Sequence, residues 1–275
     1  MENYMKLAFS TVAFTKCDYD EILDAAHKCG IDGVEVRLIG QNQLFGHDDA
    51  DIPMIAEVFR NKGVRITDIG TSVCIVDYEK DKIDTFCHCL DIAKAVGAFG
   101  VRIFLANFLE KFSESAFYSY DGIVKALREV CRYGESVGVE VWVETHNEFS
   151  EGKVLKKLAE DVGYDNLKFI WDIIHPLERG ESARDTMNYI GDRIAHVHIK
   201  DGCKKENPDL INYLYTELGK GEVPIKEMVG LLEENGYDGY YSLEWESEWR
   251  REIKTTYTNP VDLLTDYKAF MDTVK

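Results

Sequence analysis

The sequence predicts a (β/α)8 barrel forming one domain over residues 1–275. Three observations carry that expectation. Strand-like and helix-like segments alternate from one end of the chain to the other. The strand-like runs are short and apolar, as in a parallel sheet covered by helices. The helix-like segments close in glycine, at Gly30, Gly63, Gly97, Gly138, Gly163, Gly191 and Gly236, each suited to the left-handed position that ends a helix.

The elements follow in order. KLAFSTVAF is the first strand. The first helix opens at Asp18, three residues before Glu21, which is capping-box spacing. GVEVR, VRITDIG, VRIF, VEVWVE, LKFIWD, IAHVHI and YYSLEWE read as the next seven strands, each behind a helix. The last helix opens at Asn259, with Pro260 in its first turn. Strict alternation of eight strands and eight helices is expected. A doubly wound open sheet would alternate as well, so periodicity alone leaves it open. No Pro/Gly/Ser-rich linker divides the chain.

Composition bounds the function. The chain is 45% hydrophobic and 30% charged, ordinary for a globular protein. It has no apolar run long enough to span a bilayer. The start, MENYMKLAFS, lacks the apolar stretch and cleavage site of a signal peptide. Seven scattered cysteines read as reduced thiols, which points to the cytoplasm. A net charge of −18 repels phosphate backbones, so neither nucleic acid nor a membrane is expected as partner, while a local cationic pocket for a small anion stays open.

In such barrels chemistry sits at the C-terminal ends of the strands. The fifth to eighth strands end near Glu144, Asp172, His198 and Glu244. Three carboxylates converging on one rim would repel each other without a cation. With one imidazole they suit a single divalent ion: Mn²⁺ first, with Mg²⁺, Co²⁺ or Zn²⁺ as alternatives. Glu246 shares the face of Glu244 and falls at the pocket mouth or in a rim ion pair.

The motifs ETHN, WDIIHP, HVHIKD and SLEWE, with GIDGVEVR and VRIF before them, resemble the sugar phosphate isomerase/epimerase family of xylose isomerase-like barrels. The resemblance covers nearly the whole chain. It implies that Glu144, Asp172, His198 and Glu244 bind one metal ion. It also implies proton transfer beside a carbonyl of a sugar, sugar phosphate or polyol through an enediolate, with Glu144 and Glu244 as the acid/base pair. His175 is implied to contact substrate oxygens, and Glu35 to be a pocket residue.

Other residues follow from strand parity. His146 shares the parity of Glu144 and is a candidate base, substrate ligand or hydrogen-bonding support. Lys200 meets either a substrate oxyanion or Glu246. Arg102 either lines the pocket or pairs with Glu35 inside the barrel. His196 lies a layer deeper than His198 and is read as structural. Trp142 shares the parity of Glu144 and fills the barrel core, whereas Trp171 and Trp245 face the helices. Trp249, after the eighth strand, is read as stacking on a sugar or on a partner subunit, in a homodimer or hetero-oligomer. The CHC run at 87–89 is discounted, because helical residues two apart point about 200° apart.

The runner-up activity is a metal-dependent lyase or dehydratase acting on a keto-sugar or keto-inositol, C-glycoside cleavage included, with His146 as an extra base. An endonuclease-four-like nuclease is remote: TSVCIVD, VRIFLANF and the long stretch after the seventh strand lack the histidines its further metals need. Ser150 and Lys204 stand where the free-ketose 3-epimerases of the family carry an acidic residue and an Arg.

Overall fold

The protein is described from a computed structural model, over residues 5–37, 49–106, 117–206 and 213–274. Ten strands are present among these residues: β1 (Lys6–Ser10), β2 (Gly33–Arg37), β3 (Arg65–Ile75), β4 (Gly100–Leu105), β5 (Glu140–Glu144), β6 (Leu167–Asp172), β7 (Ile194–Ile199), β8 (Asp201–Lys204), β9 (Tyr213–Thr216) and β10 (Tyr240–Leu243). The helices between them are α1 (Tyr19–Cys29), α2 (Ile52–Asn61), α3 (Lys80–Val96), α4 (Tyr120–Val137), α5 (Gly152–Val162), α6 (His175–Glu178), α7 (Ala183–Ile190), α8 (Ile225–Glu234) and α9 (Pro260–Val274). Eight strands close a parallel barrel in the order β1-β10-β7-β6-β5-β4-β3-β2, which rules out the open sheet.

Local chemistry places the helix ends. Asp18 and Glu21 form the reciprocal capping box at the start of α1. The Asn259 side chain accepts from the Asp262 amide at 2.9 Å, opening α9. Six of the seven helix-closing glycines take positive φ, but Gly191 does not. There α7 runs on into a 3-10 turn at φ −55°, and a Cβ at this glycine would meet only the movable ends of Met187 (2.9 Å) and Asn235 (3.1 Å).

Side chains alternate between two different media. Val101, Ile103, Val141, Val143, Val197 and Ile199 face outward and join the helices in one continuous apolar core, with Trp171 and Trp245. The inward positions carry Glu35, Asp68, Arg102, Trp142, Glu144, His196 and His198, all buried. The lumen of this barrel is therefore a column of ionisable groups, not the branched aliphatics that fill many barrels. Neighbouring strands hold these groups level: Ser10 pairs with Glu35, Arg102 with Trp142, and Asp172 with His198.

Strict alternation is broken twice among the described residues: β6 is followed by two helices, the short α6 and α7, and β7 by two further strands. After β7 the chain forms an antiparallel hairpin, β8–β9, before reaching α8. Its root is Asp201. One carboxylate oxygen accepts from the amides of Gly202 (2.8 Å) and Val223 (3.2 Å), the other from Gly219 (2.9 Å) and Gly221 (3.0 Å). A hairpin was not expected, because glycines and charges interrupt the period-two pattern of this stretch.

Asp201→Ala leaves four amides, those of Gly202 and Val223 in buried residues, without that acceptor. It should cost about 2–4 kcal/mol of stability and expose the hairpin to proteolysis. An unchanged urea midpoint and digestion pattern would show that Asp201 does not hold this connection.

Candidate active site

The ends of β2, β4, β5, β6, β7 and β10 bring their inward side chains to one place. Donor atoms of Glu144, Asp172, His198 and Glu244 all lie within 4.8 Å of one another, and all four residues are buried. Around them sit two permanent cations. Arg102 Nη1 is 3.0 Å from Glu144, 3.4 Å from Glu244 and 3.7 Å from Glu35. Lys200 Nζ is 2.5 Å from Asp172, pairs closely with Glu244, and lies 3.6 Å from Glu246. The pairings of Arg102 with Glu35 and of Lys200 with Glu246 read from the sequence are thus both present, in one network with the other carboxylates.

The backbone makes room for it. Gly70 faces the Glu35–Arg102 pair, where a Cβ would stand 3.0 Å from Glu35 Oε1. The β3–β4 register shifts between Gly70 and Cys74, and Thr71 Oγ1 donates to the Arg102 carbonyl at 2.6 Å.

His198 is held from one side. Its Nε2 lies 2.7 Å from Glu35 Oε2, and Ser10 donates to the other Glu35 oxygen at 2.9 Å. Its Nδ1 faces the cluster, 3.3 Å from Glu244 and 3.9 Å from Glu144, without a hydrogen-bond partner. A carboxylate behind a histidine that presents its other nitrogen is the usual arrangement behind a metal-ligating imidazole. His175 Nδ1 contacts the Thr145 carbonyl at 2.6 Å and lies 3.6 Å from Asp172. The β5 strand stops at Glu144, and Asn147 (φ 47°) turns the chain into a 3-10 helix. His146 nevertheless stays beside the cluster: its ring meets that of His175 edge-on at 4.8 Å, and it can share a ligand set with Glu144 and His175.

Electrostatics separate the carboxylates. Burial pushes the Glu144 carboxyl up, Glu244 and Asp172 add to this, and Arg102 and His198 oppose it, leaving it at about 7. Burial also opposes ionisation of Glu244 and Glu35, but neighbouring cations prevail. His198 and Lys200 hold Glu244 well below the usual carboxylate range, and His198, His196 and Arg102 do so for Glu35. Burial disfavours the His198 and Lys200 cations, yet the surrounding carboxylates hold both protonated well above their ordinary values.

Several contributors carried no sequence signal of their own. Asp68 is buried at the level of Glu35, and burial raises it to about 6. Tyr215, on the unexpected hairpin, places its ring 5.4 Å from Lys200 Nζ and 4.0 Å from the Arg250 guanidinium. Glu246 bridges Lys200 and Arg250 at 3.6 and 3.5 Å, the rim ion pair expected of it. Arg250 is thereby tied into the wall of the mouth. Trp249 stands 62% exposed in the turn beyond β10 and is not among the side chains gathered here.

The xylose isomerase-like TIM barrel family model matches residues 23–267. The chain belongs to this family. Fructoselysine 3-epimerase of Escherichia coli O157:H7 is 25% identical over 129 residues, a match spanning 44% of each chain and so less than half of that relative. Hydroxypyruvate isomerase of E. coli K12 is 21% identical over 269 residues, 91% of this chain and 96% of that one. An inosose dehydratase of Lacticaseibacillus casei is 26% identical over 119 residues, 39% and 38% of the two chains. A solved IolI protein with a bound zinc atom has the same fold, with a TM-score of 0.79 at 17% identity over 98% of both chains. The relatives of this family member thus include an epimerase, an isomerase and a dehydratase. Among the described residues no helix is long and apolar enough to cross a membrane.

Arg102→Met removes the cation shared by Glu35, Glu144 and Glu244. In chelator at pH 8 it should lose about 3–5 kcal/mol of stability. The loss should shrink toward pH 5, where protonation relieves the uncompensated carboxylates. The sign follows from Glu144, which contributes stability below its ordinary 4.5 and loses that contribution as pH rises through about 7. A loss that does not vary with pH would show that Arg102 is not compensating these charges.

Proposed function

We propose that the chain is a divalent-metal-dependent isomerase or epimerase of a small sugar, sugar phosphate or polyol, with Glu144, Asp172, His198 and Glu244 as the metal ligands. The observation that carries this reading is the convergence of four buried ligand residues whose donor atoms lie within 4.8 Å of one another. His198 Nδ1 is turned toward them without a hydrogen-bond partner, and Asp172 Oδ2 is paired with the Lys200 ammonium at 2.5 Å. Three carboxylates gathered round one imidazole nitrogen fit a divalent cation that displaces the ammonium and the imidazole proton. Three carboxylates and one imidazole favour Mn²⁺, with Mg²⁺, Co²⁺ and Zn²⁺ as competitors.

A bound divalent ion would polarise a substrate carbonyl and its neighbouring hydroxyl. The protein's own groups do the rest. Glu144 and Glu244 come from strands on either side of β6 and β7 and can address a substrate carbon from two directions. One removes the proton beside the carbonyl, and the other returns a proton to the opposite face or the adjacent carbon. The unequal environments of the two carboxyls suit such a division. Lys200, Arg102 and His175 hold substrate oxygens once carboxylates engage the ion, and Glu35 fixes the His198 ring. The buried cluster limits access of bulk water to the reacting carbon.

His146 supports elimination as the second reading. Its ring beside His175 and Glu144 offers a further base that could help expel a β-substituent instead of returning the proton. Trp249, exposed in its turn, is kept as the anchor of a dimer or a contact to substrate.

Turnover of a ketose, polyol and keto-inositol panel in D₂O by the metal-loaded protein distinguishes the readings. Deuterium at a substrate carbon is expected; a conjugated enone without it would favour the lyase. Glu144→Gln and Glu244→Gln should each lower kcat by about 10²–10⁴ once equal metal content is verified. A near-native rate in either variant would remove that residue from the acid/base pair.

Metal loading should itself release protons, because the ion displaces them from His198 and, below about pH 7, from Glu144. Calorimetry in buffers of different ionisation enthalpy should show more protons released at pH 6 than at pH 8. Asp172→Ala should abolish tight loading while leaving the far-UV spectrum intact. Tight binding of one ion by that variant would refute the ligand set.

A further inference from the structure

The opposite end of the barrel holds a cavity of about 680 Å³ that the proposed reaction does not use. It is lined by residues that open the strands: Lys6 of β1, Arg65 of β3, Glu140 of β5, Lys168 of β6 and Tyr240 of β10. Its volume falls within the roughly 300–1,000 Å³ common for small-molecule sites.

The charge there opposes that of the whole chain. Lys6, Arg65, Lys94 and Lys168 face two acids, Glu140 and Asp238, in a protein of net charge −18. Glu140 is occupied by the Trp142 indole N–H at 2.8 Å, and Asp238 is a solvent-exposed partner of Lys6 at 3.9 Å. Lys94 and Lys168 make no ion pair among the described residues. Flat rings accompany the cations. Trp142 and Tyr240 line the cavity, and Phe99 lies under the Arg65 guanidinium at 4.2 Å. Two glycines seat these rings. A Cβ at Gly100 would stand 2.3 Å from the Trp142 ring, and one at Gly33 would stand 2.6 Å from that of Tyr240.

An independent observation points to a ligand. His196 lines the cavity and is completely buried; its Nε2 faces Glu35 and Asp68 at 3.6 and 3.7 Å, and its Nδ1 has no hydrogen-bond partner. Its ring stacks on Trp142 with centroids 5.5 Å apart. Buried polar atoms are rarely left unpaired, and this Nδ1, beside a roomy, aromatic, cationic cavity, calls for a partner from outside the chain.

We propose that this cavity is a second binding site, for a small molecule that combines a flat ring with phosphate groups. The ring lies against Trp142 and Tyr240, its polar edge meets His196, and the phosphates reach Arg65, Lys94 and Lys168. The site is separate from the carboxylate cluster and does not depend on the reaction assigned to it.

The test uses the full chain with ADP, adenosine and inorganic pyrophosphate as probes, in chelator, followed by calorimetry and tryptophan fluorescence. ADP should bind saturably and at least about tenfold more tightly than either fragment, since ring and phosphates contribute together. Arg65→Glu with Lys94→Glu, both at exposed positions, should weaken ADP at least about tenfold with the far-UV spectrum unchanged. Lys168→Met should weaken it independently, and Lys200→Met, at the other end of the barrel, should leave it unaltered. Absence of saturable ADP binding would overturn the proposal. So would ADP binding lost in Lys200→Met but kept in the Arg65/Lys94 variant, which would place the probe in the carboxylate mouth. Pyrophosphate binding as tightly as ADP would overturn the ring-bearing class.

Discussion

Compensation of buried negative charge inside the barrel is the constraint on which the rest of this structure depends. Glu144, Asp172 and Glu244 are removed from water within a few ångströms of one another, with Glu35 buried behind His198. Carboxylates in that position either take up protons or find cations. Here both happen. Arg102 and Lys200 supply fixed positive charge, His198 is held protonated, and Glu144 is raised to about 7. The site is organised by ion pairs before any cofactor is considered. A divalent ion would enter by competing with Lys200 and with protons, so metal affinity, pH and the position of one lysine are linked.

That constraint explains local features which look unrelated. Gly70 is small because Glu35 and Arg102 meet over it. The β3–β4 register shift lets Thr71 engage the Arg102 backbone. Ser10, at the end of the first strand, takes up one oxygen of Glu35, so that the other orients His198. The apolar core lies between strands and helices, where it can stabilise the fold without help from the lumen. Stability and chemistry are thus assigned to opposite faces of the same strands.

Much of the barrel was legible because alternation, strand parity and helix-closing glycines are properties of short windows. Glu144, Asp172, His198 and Glu244 could be aligned from strand ends alone, since period-two geometry fixes which side chains share a face. What stayed hidden depends on three-dimensional neighbours. Arg102 and Lys200 offered two readings each, and only the folded barrel shows that each serves several carboxylates at once. Asp68 is one acid among fifty in the sequence, and nothing but its depth distinguishes it. Tyr215 arrives on a hairpin whose pairing has no clean alternation. Gly191 departs from the expected left-handed helix end because a glycine in right-handed backbone looks the same in sequence as one needed for its dihedral freedom.

The root of that hairpin bears on how a distortion outside the pocket reaches it. Asp201 follows Lys200 directly and gathers four amides, from both the outgoing and the returning chain. The outgoing strand and the returning chain are therefore pinned at one carboxylate, one residue from the pocket lysine. A distortion of β8 or β9 meets this collar before it reaches Lys200, so the acid beside the lysine acts as a firebreak for the charge network.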